Sequence, residues 1–199
     1  MFTWLFELFK IPETRHLTNT EDIDDVQTTA LHRNIIKKKH FLYKLFQEHY
    51  NIFKKNIEDI PDGLKIELGS GGGFLKEVIT DVITSDVLEL PDVDKVIFAE
   101  KIPYPDKSVA AFFLLGTLHH IKEPEKFFSE INRCMKPGGK IIMIEPANTL
   151  LSRFFFKYIH HEQFDEKKDD WKVEGKGRLG DANLAIPWII FIRDREKFL

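Results

Sequence analysis

Between Pro61 and Pro146 the chain alternates short β-type runs with helical segments, and this alternation limits its fold more than any other feature. The predicted strands are residues 64–68, 82–87, 95–99, 109–115 and 140–145. A brief helix near residues 74–79 and a longer one from about 124 to 135 separate some of them. Strands that alternate with helices imply right-handed crossovers and a mainly parallel sheet covered on both faces. The pattern therefore predicts an α/β fold, a three-layer sandwich.

Length, composition and charge exclude several classes of protein. The chain has 199 residues, of which 43% are hydrophobic, and a formal net charge of -3. These values suit one globular domain, exclude global disorder, and provide no general attraction for nucleic acid or anionic membranes. The single cysteine, Cys134, excludes a disulfide framework and a thiolate metal cluster, and fits a protein of the reducing cytoplasm. No run reaches the roughly 18 apolar residues of a membrane span, and the N-terminal MFTWLFELFK lacks the features of a signal peptide.

The segments on either side of the alternating region are predicted to be mainly helical. In residues 1–60 apolar side chains recur every three to four positions, and Pro12 ends the first helical element. After Asn148 the pattern weakens to one helix, a charged loop over 165–180 and a final apolar run over 186–192.

A glycine-rich turn, GSGGG from Gly69 to Gly73, follows the first predicted strand and opens the first predicted helix. Glycine at 69 and 71 lets the backbone bend sharply and brings main-chain N–H groups within reach of a ligand. The turn lacks the GK[ST] ending of a phosphate loop, and it lacks the GxGxxG spacing of a dinucleotide site because Phe74 takes the last position. Glu67 at the strand end favours a cationic ligand instead, such as an ammonium or sulfonium group. The alternative is a turn that joins strand to helix and binds nothing.

Asp86 ends the second predicted strand, 17 residues after Gly69. This offset is near the roughly 20 residues that separate a glycine turn from a ribose-binding acid. A carboxylate at this place can accept hydrogen bonds from both hydroxyls of a ribose. The alternative is an aspartate that caps the following loop.

Five motifs in order resemble the class I S-adenosylmethionine-dependent methyltransferases, in particular those related to the ubiquinone and small-molecule methyltransferases. The motifs are ELGSGGG at 67–73, Asp86, FAEKIPYPD at 98–106, VAAFFLLGTLHH at 109–120 and MKPGGK at 135–140. The resemblance covers roughly residues 64–146. It implies a Rossmann-like sheet in a core of residues 61–199, an N-terminal helical lid over residues 1–60, and S-adenosylmethionine as the cofactor.

The resemblance also implies which residues hold the cofactor. The glycine turn would line its methionine part, and Asp86 would hold the ribose hydroxyls. The segment after the third strand would border the adenine, and the end of the fourth strand would offer main chain to the amino-acid end. The implied set is Glu67, Gly69, Ser70, Gly71, Asp86, Ala99, Glu100, Leu115 and Gly116.

The chain departs from the family pattern at three places. Phe98 stands where the family often has an aspartate, so its ring either covers the adenine or is an ordinary core aromatic. The distance from Gly71 to Asp86 is short by about one helical turn, which predicts a trimmed first helix. Only 53 residues follow Pro146 and they contain one clear apolar run, so we expect the usual C-terminal strand hairpin to be missing. An exposed sheet edge of this kind favours pairing into a homodimer.

Methyl transfer from a sulfonium mainly requires that nucleophile, methyl and sulfur are aligned and that water is excluded. A base is needed only when the acceptor must lose a proton. The predicted catalytic residues are His119, His120 and Glu145, which follow the fourth strand and end the fifth. The alternative is that one histidine packs inward and the other faces solvent. His160, His161 and Glu162 by themselves provide too few ligands, so no metal site is predicted.

The sequence therefore favours S-adenosylmethionine-dependent methyl transfer to a small-molecule acceptor that is glycan- or lipid-related. The alternative is a catalytically degenerate relative that binds a ligand or partner, which Phe98 and the short C-terminal region suggest. An NAD-dependent dehydrogenase ranks third because of the glycine spacing. No nucleic-acid partner is expected, and membrane contact by residues 1–10 ranks below a lid because that segment lacks a strongly basic face.

Overall fold

The computed structural model describes residues 25–160, 162–174 and 181–199. The N-terminal segment with Pro12, on which membrane contact was considered, lies outside these residues. The chain divides into two compact units. The sheet unit is Val26–Thr117 with Pro124–Ile144, and the C-terminal unit is Leu118–Glu123 with the residues from Glu145 onward and Asp25.

The sheet unit contains five strands, all parallel, in the spatial order β3-β2-β1-β4-β5. The strands are β1 Leu64–Leu68, β2 Val82–Asp86, β3 Lys95–Val96, β4 Val109–Leu115 and β5 Met135–Ile144. Its helices are α1 Val26–Lys38, α2 His40–Lys55 and α3 Pro124–Cys134, with a 3-10 turn at Leu75–Glu77. This arrangement confirms the predicted α/β fold with a mainly parallel Rossmann-like sheet. The trimmed first helix is also confirmed, because only the 3-10 turn stands between β1 and β2.

Strand β4 forms the centre of the core. Its residues from 109 to 114 are fully buried, as expected for a parallel strand that is covered on both faces and reads as a continuous apolar run. On one face Ala111 and Phe113 pack with Tyr50 and Phe53 of α2. The rings of Phe53 and Phe113 lie 5.3 Å apart between centroids. The apolar periodicity of α2 is therefore explained by its packing on the sheet.

Strand β5 begins earlier than predicted, and the reason is a break in its pairing. Met135 pairs with Val109, but the next pair joins Lys140 to Ala111. The residues between them, 136–139, leave the ladder, and Gly138 has a φ of 81°. Pro137, Gly138 and Gly139 of the MKPGGK motif thus form an irregularity inside the strand.

The C-terminal unit is helical. It contains α4 Leu150–Tyr158, α5 Ile186–Trp188, a π-helical turn Ile189–Arg193 and α6 Arg195–Phe198, as well as a 3-10 turn Leu118–His120. Thr149 caps α4, since its hydroxyl accepts from the Ser152 N–H at 3.2 Å. In turn, the Thr149 N–H donates to the Ser152 hydroxyl at 2.7 Å.

The described residues after Ile144 form no strand, so β5 is an edge of the sheet in the part of the chain that the structure describes. The final apolar run is helical instead, because Ile186, Ile189 and Ile190 recur at helical spacing and are all buried. A homodimer through the β5 edge stays a prediction. None of the described helices combines the length and hydrophobicity needed to cross a membrane.

Candidate cofactor turn and histidine cluster

The glycine turn after β1 has the left-handed backbone that its sequence predicts. Gly69 has a φ of 70° and Gly71 a φ of 48°. A Cβ on Gly69 would lie 2.5 Å from Cγ2 of Thr117, which is far inside van der Waals contact. A Cβ on Gly71 would meet no atom of the described residues within 4 Å. Gly69 is therefore required by close packing, whereas Gly71 borders open space.

Ser70 ties the turn to both neighbouring strands. Its N–H donates to the Ser85 carbonyl of β2 at 2.8 Å, and the Ser85 N–H donates to the Ser70 hydroxyl at 3.2 Å. The Ser70 hydroxyl donates in turn to Oε2 of Glu67 at 2.5 Å. These bonds fix the turn against the carboxyl ends of β1 and β2, where ligands bind in open α/β sheets.

Glu67 is an acid buried beneath the turn, with 2% of its surface exposed. Burial raises the pKa of Glu67 to about 7, and the nearby charge of Asp86 acts in the same direction against the opposing effects of Ser70 and Arg33. A cation beside this carboxylate would favour its charged form. The site is thus electrostatically suited to a sulfonium or ammonium ligand.

Asp86 takes the capping role that the sequence offers and also holds the glycine turn. One carboxylate oxygen accepts from the Leu88 N–H at 3.0 Å, which is the loop-capping alternative. The other accepts from the Gly71 N–H at 2.8 Å and so holds the glycine turn. A carboxylate has about four acceptor positions, so two remain for hydroxyl donors. Its contact with a ribose stays a prediction.

Helices α1 and α2 cover the turn. A Cβ on Gly72 would lie 2.9 Å from the backbone nitrogen of Arg33 in α1, and the Arg33 guanidinium donates to the Gly73 carbonyl. The Tyr50 hydroxyl of α2 accepts from the Phe74 N–H at 3.0 Å. Sequence reasoning missed Arg33 and Tyr50, since α2 periodicity marks Tyr50 only as an apolar position. The role of these helices as a lid stays a prediction.

The remaining predicted cofactor residues lie at neighbouring strand ends. The Ile97 N–H donates to the Asp86 carbonyl at 2.9 Å, which holds the segment of Ala99 and Glu100 next to β2. Phe98 is 49% exposed, so it is not the core aromatic that one interpretation offered. Leu115 ends β4, and Gly116 follows it with a φ of 62°. All nine predicted cofactor residues therefore belong to the sheet unit.

The predicted catalytic residues lie in the C-terminal unit and contact one another. The His119 Nδ1–H donates to Oε2 of Glu145 at 2.8 Å, and the Leu118 N–H donates to Oε1 of the same carboxylate at 2.7 Å. Burial opposes a charge on His119, but the hydrogen bonds and charges of Glu145 and Glu162 outweigh it and raise its pKa to about 9. The side chains of His119 and Glu145 are 6% and 7% exposed.

His120 and Glu162 complete this cluster. The His120 Nδ1–H donates to the Asp181 carbonyl at 3.2 Å. Nε2 of His119 and Nε2 of His120 each lie 3.6 Å from a different oxygen of Glu162. Burial opposes ionisation of Glu162, but His119, His120 and His160 outweigh it and lower its pKa to about 2. Burial and the charge of His119 lower the pKa of His120. We call His119, His120, Glu145 and Glu162 the histidine cluster.

Comparison with known proteins decides the family. The family model described as a methyltransferase domain matches residues 66–143. An uncharacterized protein of Methanocaldococcus jannaschii is 32% identical over 167 residues, which cover 74% of this chain and 80% of that protein. The chain belongs to the class I S-adenosylmethionine-dependent methyltransferases. The resemblance that the motifs predicted is confirmed, and with it S-adenosylmethionine as the cofactor of the family.

Two further proteins are similar to parts of this chain. The ubiquinone/menaquinone biosynthesis C-methyltransferase of Pseudomonas fluorescens is 28% identical over 86 residues, which cover 42% of this chain and 32% of that enzyme. A methyltransferase structure from Thermotoga maritima, titled a possible histamine N-methyltransferase, has a TM-score of 0.50 at 20% identity and covers 69% of this chain and 65% of that one. The second likeness shows the fold alone.

The family model matches the whole of the candidate cofactor turn but only part of the histidine cluster. Residues 66–143 include the whole glycine turn, Asp86 and all five strands in whole or part. They also include His119 and His120, but they end before Glu145 and Glu162. The acidic half of the histidine cluster thus comes from the part of the chain that the family model does not match.

Proposed function

We propose that this methyltransferase transfers a methyl group from S-adenosylmethionine to a small, lipid-related acceptor. The observation that carries the proposal is the glycine turn, where Gly71 borders open space above the buried Glu67 and beside Asp86. Bound S-adenosylmethionine supplies a methyl group activated by its sulfonium. An acid with a pKa of about 7 beneath an open turn suits such a cation, whereas a diphosphate would be repelled there.

The roles proposed for the cofactor residues are those that the family resemblance implies, and the geometry of the turn supports them. The turn Gly69–Gly71 would line the methionine part, and Asp86 would accept from the ribose hydroxyls with its two remaining acceptor positions. Ala99 and Glu100 would border the adenine, since the preceding Ile97 is bonded to Asp86. Leu115 and Gly116 would offer main-chain groups to the amino-acid end.

The proposed roles of His119, His120 and Glu145 concern the acceptor. With a pKa of about 9, His119 carries its proton at neutral pH and cannot act as the free base. Glu145 accepts two hydrogen bonds and so fixes the position of His119. Since methyl transfer depends mainly on alignment and the exclusion of water, we assign these residues to positioning the acceptor.

An exposed apolar groove on the C-terminal unit supports a lipid-related acceptor over a glycan. The groove has a volume of about 470 Å³ and is lined by Thr149, Leu151, Ser152, Phe154, Phe155 and Ile159. Volumes of roughly 300–1,000 Å³ are usual for small-molecule sites. Leu151 and Phe154 are 80% and 56% exposed, which is costly in water unless an apolar partner covers them. A glycan would need more hydrogen-bonding groups than this lining provides.

Binding and transfer are tested separately. In calorimetric titration with S-adenosylmethionine, we expect Asp86→Asn to weaken binding about 10- to 100-fold. The reason is that the two charge-assisted hydrogen bonds from the ribose hydroxyls become weaker. Asp62→Asn, at an exposed acid of the same unit, is the matched control and should bind as the wild type does. Equal affinities in both variants would remove Asp86 from the site.

Transfer is measured with S-adenosylmethionine carrying a radioactive methyl group and paired acceptors that differ only in an apolar tail. We expect transfer to the tailed acceptors to exceed transfer to the tail-less ones. Transfer to glycans alone would contradict the lipid-related assignment. Cofactor binding with no transfer to any acceptor would favour the catalytically degenerate alternative.

A further inference from the structure

The histidine cluster has the geometry of a metal centre. We propose that His119, His120 and Glu162 bind one divalent first-row transition-metal ion, of which zinc is the type. Their ligand atoms all lie within 4.8 Å of one another. Binding of the ion involves residues of the C-terminal unit alone, and so it does not depend on the proposed methyl acceptor.

The first argument concerns the ring nitrogens that face away from Glu162. Nδ1 of His119 contacts the Glu145 carboxylate at 2.8 Å, and Nδ1 of His120 contacts the Asp181 carbonyl at 3.2 Å. The carbonyl can only accept, so His120 carries its proton on Nδ1, and the carboxylate favours the same form in His119. Metal-binding histidines nearly always donate their second ring N–H to a carboxylate or a backbone carbonyl. Both rings therefore direct Nε2 toward Glu162. A metal ion that binds there takes the place of the Nε2 proton of His119, because histidine binds metals only in its neutral form and metal binding releases protons.

The second argument concerns the spacing between these Nε2 atoms and Glu162. Each N–O distance is 3.6 Å, which is longer than the roughly 2.7–3.2 Å of an N–H···O hydrogen bond. Two ligand atoms that each lie about 2.0–2.2 Å from a tetrahedral zinc ion are about 3.3–3.6 Å apart. The two N–O distances are thus already close to those of a tetrahedral zinc site.

The third argument is the burial of the group. The side chains of His119, His120 and Glu162 are 6%, 20% and 15% exposed. Ionised side chains that lose contact with water must be paired, hydrogen-bonded or bound to a metal.

Backbone bonds hold the histidine segment in place, since the Asn183 N–H donates to the His119 carbonyl at 3.0 Å and the Val173 N–H donates to the Lys122 carbonyl at 3.0 Å. The ligand atoms are therefore presented by a fixed backbone.

The ligand set selects the class of ion. Two imidazole nitrogens and one carboxylate suit zinc, iron(II), cobalt(II) or nickel(II), whereas magnesium and calcium prefer oxygen ligands alone. Three protein ligands leave one tetrahedral position open, as in catalytic zinc sites with two histidines and a glutamate. If the proposed function holds, that open position would bind a polar oxygen of the acceptor.

The test uses tag-free full-length protein, treated with a chelator and titrated with zinc chloride in a calorimeter. We expect one zinc ion per chain. Glu162→Gln, which removes an ionised ligand at nearly constant shape, should weaken binding by more than about 100-fold, and His120→Ala should do the same. Glu145→Gln changes only the hydrogen bond to Nδ1 of His119, so we expect the roughly 10- to 100-fold loss that such changes cause. His40→Ala, at an exposed histidine outside the cluster, should bind as the wild type does.

Two further measurements distinguish loss of the metal site from misfolding and from zinc bound at surface residues. Cobalt(II) replaces zinc, and its visible absorption reports four-coordinate geometry in the wild type that Glu162→Gln should lose. Circular dichroism establishes that each variant is folded. Equal zinc affinity in the wild type, Glu162→Gln and His120→Ala would overturn the proposal, as would the lack of stoichiometric binding in the wild type.

The outcome is separable from that of the proposed function. Titration with S-adenosylmethionine probes the sheet unit, and we expect the Glu162→Gln variant to retain the wild-type affinity for it. Zinc binding without methyl transfer would leave the metal site standing and refute the acceptor assignment. Methyl transfer without zinc binding would refute the metal site and leave the acceptor assignment standing.

Discussion

The sheet unit and the C-terminal unit assemble their candidate site residues in different ways. In the sheet unit Glu67, Ser70 and Gly71 lie within five residues of sequence, and the hydrogen bond from Gly71 to Asp86 crosses only from β1 to β2. In the C-terminal unit His119 and Glu162 come from distant segments that meet only after folding. The comparison teaches that residues within a local motif or at neighbouring strand ends, such as His119 and Glu145, can be grouped from the sequence, while a partner from a segment without such a pattern, such as Glu162, cannot.

The largest expected effect concerns the stability that the sheet unit gains from its core. Phe113 is fully buried in β4 and packs against Phe53 of α2. We expect Phe113→Ala to lower the free energy of unfolding by about 3–5 kcal/mol, because a large cavity replaces the ring. Denaturant unfolding followed by circular dichroism measures the change. Leu150→Ala in the C-terminal unit, at a side chain that is 88% exposed, should change it by less than about 0.5 kcal/mol.

The next effect concerns the buried acid of the sheet unit and its dependence on pH. The folded-state pKa of Glu67 is about 7, which is above the value of 4.5 expected in the unfolded chain. A raised pKa means that the contribution of Glu67 to stability is fully present below pH 4.5 and is lost as the pH rises through 7. Over this window we expect a loss of up to about 3 kcal/mol in the cofactor-free protein.

The matched variant for this pH dependence is Glu67→Gln, which keeps the shape and removes the ionisable group. The difference in unfolding free energy between wild type and Glu67→Gln, measured from pH 5 to pH 8, should contain the predicted loss. A difference that is constant over that range would show that Glu67 does not titrate there.

A smaller effect separates the two glycines of the turn. Gly69→Ala places a Cβ 2.5 Å from Thr117 in addition to its unfavourable positive φ, so we expect a loss of about 2–3 kcal/mol in the free energy of unfolding. For Gly71→Ala we expect a loss of only about 1–2 kcal/mol in the free energy of unfolding. Its φ is unfavourable for alanine, but its Cβ enters open space. Denaturant unfolding checks the order of the two. If the space beside Gly71 is the cofactor site, Gly71→Ala should nevertheless reduce binding of S-adenosylmethionine at least as strongly as Gly69→Ala.

The smallest expected effect on stability sharpens the proposed role of the apolar groove. Leu151→Ser changes a side chain that is 80% exposed, so the free energy of unfolding should change by less than about 0.5 kcal/mol. If the groove binds the acceptor, the KM for a tailed acceptor should rise several-fold while the affinity for S-adenosylmethionine stays constant. Leu199→Ser, at a residue that is 83% exposed and outside the groove, is the control. An unchanged KM in Leu151→Ser would remove the groove from acceptor binding.

The sequence predicted the elements whose residues carry a continuous local signal. The bounds of β1 and β4 agree with the prediction, because each is an uninterrupted β-type run bounded by turn residues. The third strand is shorter than predicted, since only Lys95 and Val96 pair with β2 before the chain turns away. For Asp86 the sequence offers two roles, and the structure shows the capping role directly because one carboxylate oxygen accepts from the Leu88 N–H.

The tertiary structure supplied what no local pattern contained. The sequence places Glu162 beside His160 and His161, and these three residues alone provide too few ligands for a metal site. A sequence does not show which remote side chains will face Glu162. Tyr50 lies in the segment of residues 1–60 whose apolar side chains recur every three to four positions, and that pattern does not show that its hydroxyl accepts from the Phe74 N–H at the end of the glycine turn.

The sequence by itself determined that this chain builds a parallel sheet with a glycine turn and two acids at neighbouring strand ends. Those features depend on backbone conformation and hydrophobic alternation, which are properties of neighbouring residues. Only the tertiary structure decided that His119 and His120 turn their Nε2 atoms toward Glu162. That arrangement depends on packing and hydrogen bonds among segments far apart in the chain, where the direction of each side chain is set by partners that the local sequence does not specify.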